Sequence, residues 1–226
     1  MRAMILAAGR GERLRPLTDT TPKPLIEVGG KPLIVHHLER LAEAGFTDVV
    51  INLGWLGEQI PEALGDGSRF GLRIHYSPEP PGALETAGGI VHAQELLGDA
   101  PFLVVSGDVL CDYPFDTLHR LEMETLAHLV MVDNPPHHPD GDFGIVDGRI
   151  VGNTPDKLTF SGIAVFRPEL FANLEPGVRP LRPVLEQIIV EGRVSAERHT
   201  GQWMDVGSHE RLQLARQLHS RRRKLQ

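Results

Sequence analysis

One cysteine, Cys111, is all that 226 residues offer. No disulfide can form within the chain, and a reducing compartment is the default expectation. Long apolar runs are missing too. The opening MRAMILAAGRGERLRPLT breaks its short apolar stretch at once with Gly and Arg, unlike a secretory leader. No stretch approaches the roughly 20 residues that cross a bilayer. Positive charge is in deficit, with 23 Lys and Arg against 30 Asp and Glu and a formal net charge of −7. That balance disfavours nucleic acid or an anionic membrane as the main partner. Repeats and low-complexity linkers are absent. A cytoplasmic protein with no membrane and no nucleic-acid partner is expected.

Hydrophobic residues make up 41% of the chain, enough for a sizeable core. Short apolar runs alternate with helical patterns, which predicts an α/β fold with a largely parallel sheet. Strands are expected at Met4–Ala8, Asp48–Leu53, Leu72–Tyr76, Phe102–Ser106 and Leu158–Phe166. Leu33, Ile34, Leu38 and Leu41 fall on one helical face between Pro32 and Ala44, and Gly45 supplies a stop. A short helix precedes Gly65, and another helix spans Thr86–Leu97. GIV-DG-RIV around Asp147-Gly148 is the strongest hairpin signal. Ser208 suits the N-cap of a closing helix through about Lys224. Length fits a single domain over 1–226 with two lobes. The core lobe takes about 1–132 plus the C-terminal segment, and an inserted lobe at about 133–200 completes a pocket.

The run Leu6-Ala-Ala-Gly-Arg-Gly-Glu-Arg-Leu-Arg-Pro-Leu-Thr18 follows a strand. Small residues such as Ala7, Ala8, Gly9 and Gly11 let the backbone approach a ligand, and free N–H groups can hold phosphate oxygens. A Walker A loop would need Lys-Ser/Thr where Glu12-Arg13 stands. A dinucleotide fingerprint would need a small residue where Leu14 sits. The alternative is a tight strand–helix turn with surface arginines. Next come Pro22-Lys-Pro-Leu25 and Val28-Gly-Gly-Lys-Pro-Leu33. Prolines on both sides restrict the backbone of Lys23 and fix the direction of its ammonium, which suits a phosphate under attack. Asp108 follows an apolar strand, where ligands gather in open α/β sheets. Asp205 lies between Trp203 and Gly207, just before the last helix.

LAAGRGERLRPLT, PKPL and VGGKPL together resemble the signature of the sugar-1-phosphate nucleotidyltransferases. The likeness continues through LETAGGI (84–90), SGDV (106–109), FGIV (143–146), FSGIAVF (160–166) and WMDVGS (203–208), and so covers nearly the whole chain. It implies a Rossmann-like nucleotidyltransferase core, with a mixed, mostly parallel sheet and an inserted sugar-binding lobe. Within the family, LAAGRGERLRPLT, INLGWLGEQI, LGDGSRFG and HYSPE most resemble the N-acetylmuramate 1-phosphate uridylyltransferases. Glucose-1-phosphate thymidylyltransferases and mannose-1-phosphate guanylyltransferases are the nearest rivals.

The resemblance implies a nucleoside triphosphate, UTP in the nearest subfamily, and a sugar 1-phosphate as partners. Mg²⁺, with Mn²⁺ as an alternative, is the implied cofactor, held by Asp108 and Asp205. Arg13 and Lys23 take the catalytic roles on the phosphates. Leu6, Ala7, Ala8, Gly9, Gly11, Glu85, Ala87, Gly88 and Asp108 surround the nucleotide, and Gly144 and Ser161 lie on the sugar side. Relatives carry Glu-Lys-Pro before the second-lobe strand where this chain has Val151-Gly-Asn-Thr-Pro-Asp-Lys157, so Lys157 is a substitute at altered spacing. Relatives also read Leu-Gly-Thr-Ala where this chain has Leu84-Glu-Thr-Ala87. Glu85 then touches the ribose or the sugar, or points to solvent. A non-catalytic sugar-nucleotide sensor on the same fold would be expected to lose Arg13, Lys23 or an aspartate, and all four are present.

Other residues receive plainer readings. Cys111 has no evident partner as a nucleophile and reads as a small buried apolar residue. His137-His138 reads as a solvated loop, since adjacent histidines project apart. Trp55 and Trp203 read as packing residues, Trp203 bordering the site. The basic run Arg221-Arg-Arg-Lys224 suits the last turn of a helix.

Overall fold

A computed structural model describes residues 1–152 and 154–223, with side chains through 220. Asn153 and the side chains of the basic run at 221–224 lie outside the described residues. Nine strands form one sheet. In chain order the first four are β1 (Arg2–Leu6), β4 (Asp48–Leu53), β5 (Arg73–Pro78) and β6 (Phe102–Ser106). The other five are β8 (Ala127–Val132), β9 (Gly144–Val146), β10 (Arg149–Val151), β11 (Thr159–Phe166) and β12 (Val194–Arg198). The spatial order is β5-β4-β1-β6-β11-β8-β12-β10-β9. The first four strands run parallel, and β8 is parallel to β12. The remaining pairings are antiparallel, so the first half supplies the parallel half-sheet and the second half extends it. Two small ribbons complete the strands: β2 (Glu27–Val28) with β3 (Lys31–Pro32), and β7 (Val109–Cys111) with β13 (Trp203–Asp205).

Helices cover both faces of the sheet. On one face α1 (Leu33–Glu43), α2 (Gln59–Leu64) and α5 (Phe115–His119) pack against Ile5, Val49, Ile51 and Val105. On the other, α3 (Glu85–His92), α4 (Gln94–Leu97) and α6 (Leu181–Val190) pack against Met4, Val104, Leu129 and Ala164. In α1 the sequence LIVHHLERLAE turns Leu38 and Leu41 fully inward. Each such side chain contributes roughly 1.5–3 kcal/mol of transfer free energy. The helix ends as Gly45 takes φ 89°, with Phe46 N–H on Leu41 O and Gly45 N–H on Ala42 O at 3.0 Å each. This paired closure satisfies carbonyls that a simple stop would leave open.

The closing helix α7 (His209–Arg223) packs Leu212 and Ala215 against Leu14, Val28 and Leu33, tying the end of the chain to its beginning.

Several boundaries differ from the sequence expectation. The first strand ends at Leu6 because Ala7 N–H leaves the ladder for the Asn52 side chain at 2.7 Å. The helix expected over Thr86–Leu97 is broken at Ala93 into α3 and α4. The Asp147-Gly148 hairpin forms as expected, with φ 49° and 72° at the two turn residues.

Candidate active site

The carboxyl ends of β1, β4 and β6 open onto a cavity of about 360 Å³. Leu6, Ala7, Ala8 and Gly9 line it with Lys23, Asp108, Asn52, Glu79 and Glu85. A second cavity of about 600 Å³ adjoins it, and Leu6, Thr86, Ser106 and Asp108 border both. Arg13, Ser161, Arg182, Trp203, Asp205 and His137 line the second. Strand β11 comes this close because Gly162, at φ 78°, sits at a bulge between Phe160 and Ile163. A Cβ there would lie 2.5 Å from Ser106 Oγ, so no other residue fits the approach.

The Gly-rich loop is held rather than loose. Gly11 is left-handed at φ 68° and turns the chain into a short 3₁₀ turn at Glu12–Leu14. Arg10 stacks 3.8 Å over Trp55, pairs with Asp19 at 2.7 Å and donates to Thr18 O at 2.7 Å. Trp55 Nε1 donates to the same carbonyl at 2.8 Å. Arg10 is therefore spent on the loop. Arg13, which has no hydrogen bond or ion pair within the described residues, faces the second cavity. Lys23, between Pro22 and Pro24, donates to Asp108 Oδ2. Asp108 borders both cavities, and Lys23 lines the smaller one beside it.

Asp108 and Asp205 meet through a long-range pairing. β7 and β13 run antiparallel with Asp205 opposite Val109, and Val206 N–H donates to Asp108 O at 2.7 Å. Both carboxylates thus line the second cavity. Asp205 Oδ2 lies 2.9 Å from Arg211 Nη2, and Oδ1 lies 3.0 Å from His137 Nε2. Neither contact is aligned as a hydrogen bond, and the buried Oδ1 lacks a hydrogen-bond donor. Such an orphaned oxygen is suited to a cation. Gly207 keeps space here, since a Cβ on it would lie 2.9 Å from Arg13 Nη2 and 3.0 Å from Asp205 Oδ2. Among the described residues no three His, Cys, Asp or Glu side chains form a closed metal cage. Two carboxylates fit a hard divalent ion whose remaining ligands are phosphate oxygens and water.

Some expected residues stand elsewhere. His137 is not simply a solvated loop residue. The 134–142 turn carries it over the cavity to Asp205, and His138 lies 3.4 Å from Asp142. Sequence gave no sign of this, because the partner is 68 positions away. Gly11 supports the loop without lining either cavity. Ala87 and Gly88 are buried under the 177–179 segment, both donating N–H to Arg179 O. Gly144 packs against Thr154, and Lys157 offers its carbonyl to Asn134. Ser161 borders the second cavity, but its hydroxyl is committed to Val130 O at 2.6 Å. Trp203 donates Nε1 to Ser161 O at 2.9 Å. Cys111 lies on the far side of the β7–β13 ribbon, beside Arg40, and burial pushes its thiol pKa up.

Lining residues that the sequence does not single out include Asn52, Glu79 and Thr86. Asn52, 4% exposed, accepts from Ala7 N–H and donates to Glu79 Oε1, both at 2.7 Å. The lone amide in the apolar run VVINL was the available signal. Glu79 follows β5 directly, and Thr86 joins the two cavities.

Comparison with known proteins follows the same outline. The family model described as "Nucleotidyl transferase" matches residues 2–221. The chain is 57% identical to N-acetylmuramate alpha-1-phosphate uridylyltransferase of Neisseria meningitidis serogroup B, over 96% of this chain and 98% of that one. It is 36% identical to mannose-1-phosphate guanyltransferase of Aspergillus fumigatus, over 92% of this chain but 61% of that longer protein. The crystal structure of a putative glucose-1-phosphate thymidylyltransferase from Bacillus anthracis, in complex with a sucrose, shares the fold. It superposes with a TM-score of 0.87 at 23% identity, covering 97% of this chain and 95% of that one.

Proposed function

The chain belongs to the nucleotidyl transferase family, and from that premise we propose that it joins UTP to N-acetylmuramate 1-phosphate, releasing pyrophosphate with Mg²⁺ as cofactor. It is an enzyme of the sugar-1-phosphate nucleotidyltransferase type. The observation that carries the finer reading is the pair of adjoining cavities with Asp108 at their border and Lys23 bonded to it from the smaller one.

The triphosphate fits the smaller cavity, with its phosphates toward Gly9 and Lys23. Asn52 holds Glu79 in place, leaving a fixed acceptor for an N–H on the nucleobase edge. The sugar phosphate fits the larger cavity and brings its own ionised oxygen to the α-phosphorus, so no protein base is required. Catalysis then rests on alignment and on neutralising charge. Lys23 exchanges its contact with Asp108 for the reacting phosphate, and the unpaired Arg13 meets the leaving phosphates. Bound at Asp108 and Asp205, a magnesium ion would neutralise phosphate charge and fix the geometry.

Muramate differs from glucosamine sugars by a lactyl ether with a carboxylate, which asks for a cation. Of Arg149, Lys157, Arg182 and Arg198, only Arg182 lines the sugar-side cavity. Arg198 is paired with Asp133, and Arg149 reaches Gly192 O at 3.4 Å. Arg182 is itself paired, with Glu186 at 2.9 Å and Asp142 at 3.1 Å, and lies 5.2 Å over Phe143; its place on the cavity wall, not freedom from partners, singles it out. A matrix of nucleoside triphosphates against sugar 1-phosphates, read by pyrophosphate release, tests the reading. UTP with N-acetylmuramate 1-phosphate is expected to give the highest kcat/KM. Arg182→Gln should lower that value roughly 10- to 100-fold, the scale of a charged hydrogen bond, and spare N-acetylglucosamine 1-phosphate. Faster use of glucose or mannose 1-phosphate would overturn the muramate reading.

A further inference from the structure

Glu85 opens α3 with φ 62°, in the left-handed region where only glycine is at ease. A branched or charged side chain persists there when the surroundings demand it, and such strain gathers at ligand sites. Glu85 is exposed and lines the smaller cavity. Three carboxylates face that space, and two are engaged: Glu79 by Asn52 and Asp108 by Lys23. Within the described residues Glu85 has no ion pair and no hydrogen bond. An unpaired carboxylate repels phosphate, so it cannot serve the Gly9–Lys23 end of the cavity. It serves the uncharged part of the nucleotide, and there it can only accept hydrogen bonds.

The nucleobase edge already has its own reader in the preset Asn52–Glu79 pair. The donors left on a nucleoside are the vicinal hydroxyls of the pentose. A carboxylate with two oxygens matches a 2′,3′-diol, and hydrogen bonds to an ionised acceptor are the stronger kind. We propose that Glu85 reads the pentose 2′-hydroxyl and makes the enzyme select ribonucleotides over 2′-deoxyribonucleotides. This rests on the smaller cavity being the nucleotide site and is independent of which base or sugar phosphate is used.

The test compares each ribonucleoside triphosphate with its 2′-deoxy form, above all UTP with dUTP, in wild type, Glu85→Gln and Glu85→Gly. Wild type is expected to prefer UTP in kcat/KM by roughly 10-fold or more, the worth of one charged hydrogen bond. In both variants the UTP/dUTP ratio should fall toward one. Glu85→Gly should also melt higher, because glycine relieves the left-handed strain. A merely structural Glu85 would shift melting and leave the ratio alone. An unchanged ratio in the variants, or equal use of UTP and dUTP by wild type, overturns the proposal. If no triphosphate turns over with any sugar phosphate, the proposed reaction fails. Calorimetric binding of UMP against dUMP then still decides for Glu85: equal affinity, or no binding of either, overturns it.

Discussion

Replacing Asn52 by leucine should damage folding and binding together, because one side chain serves both. Asn52 is almost fully buried in β4, accepts the Ala7 N–H and donates to Glu79. Leucine keeps the branched shape and heavy-atom count, with somewhat more bulk, and removes both bonds. The Ala7 amide then has no acceptor, and an orphaned buried donor costs roughly 1–3 kcal/mol. The Glu79 bond faces the cavity, where water replaces it, so its loss adds at most about 1 kcal/mol. A sum of roughly 1–4 kcal/mol lowers the melting temperature by roughly 2–16 °C for a domain of this size. Thermal scans measure that term. Freed from Asn52, Glu79 loses its fixed direction, so the KM for the triphosphate should rise several-fold while the KM for the sugar phosphate stays put. An unchanged melting temperature, or equal rises in both KM values, would refute the reasoning.

Two further outcomes are expected. Chelation should abolish activity, and Asp108→Asn and Asp205→Asn should each lower kcat by roughly 100-fold or more. Full activity in chelator would remove the metal from the mechanism. Stability should also depend on His37, which is fully buried and held neutral by desolvation, its pKa lowered to about 4. Below its ordinary value of about 6.5 the unfolded chain takes a proton that the folded one refuses. Wild type should therefore lose stability faster than His37→Gln as pH falls from about 6.5 to about 4, by up to ~3 kcal/mol. Parallel urea midpoints across that range would contradict it.

Much of the parallel half-sheet was legible because β1, β4 and β6 announce themselves as apolar runs between turn signals. β8, AHLVMV, was not read as a strand. It is buried on both faces, so it shows no alternation to mark it. α6 was also overlooked, since Pro183 looks like a breaker; in the first turn its missing N–H costs nothing. In the candidate site, residues within one local motif are legible as cavity lining: Leu6, Ala7, Ala8, Gly9, Arg13, Lys23 and Asp108. Partners joined by pairing across the chain were not. Only the β7–β13 ribbon reveals what surrounds Asp205, and only the fold brings His137 above it. Glu85 was noticed as a departure, but its backbone angle, which gives the departure meaning, is invisible in a string of letters.

The packing of α7 beneath the first turns sets an order of assembly. A ribosome delivers the Gly-rich loop well before the helix that packs beneath it. Leu14, Val28 and Leu33 are made early and wait for Val206, Leu212 and Ala215 before their cluster can close. Asp205 and Arg211 arrive with the same late segment. The growing chain can thus lay down its parallel half-sheet, β1, β4, β5 and β6, long before Asp205 and α7 exist. A chain stopped some 20 residues short would lack α7 and leave Leu14, Val28 and Leu33 without Leu212 and Ala215 to close their cluster.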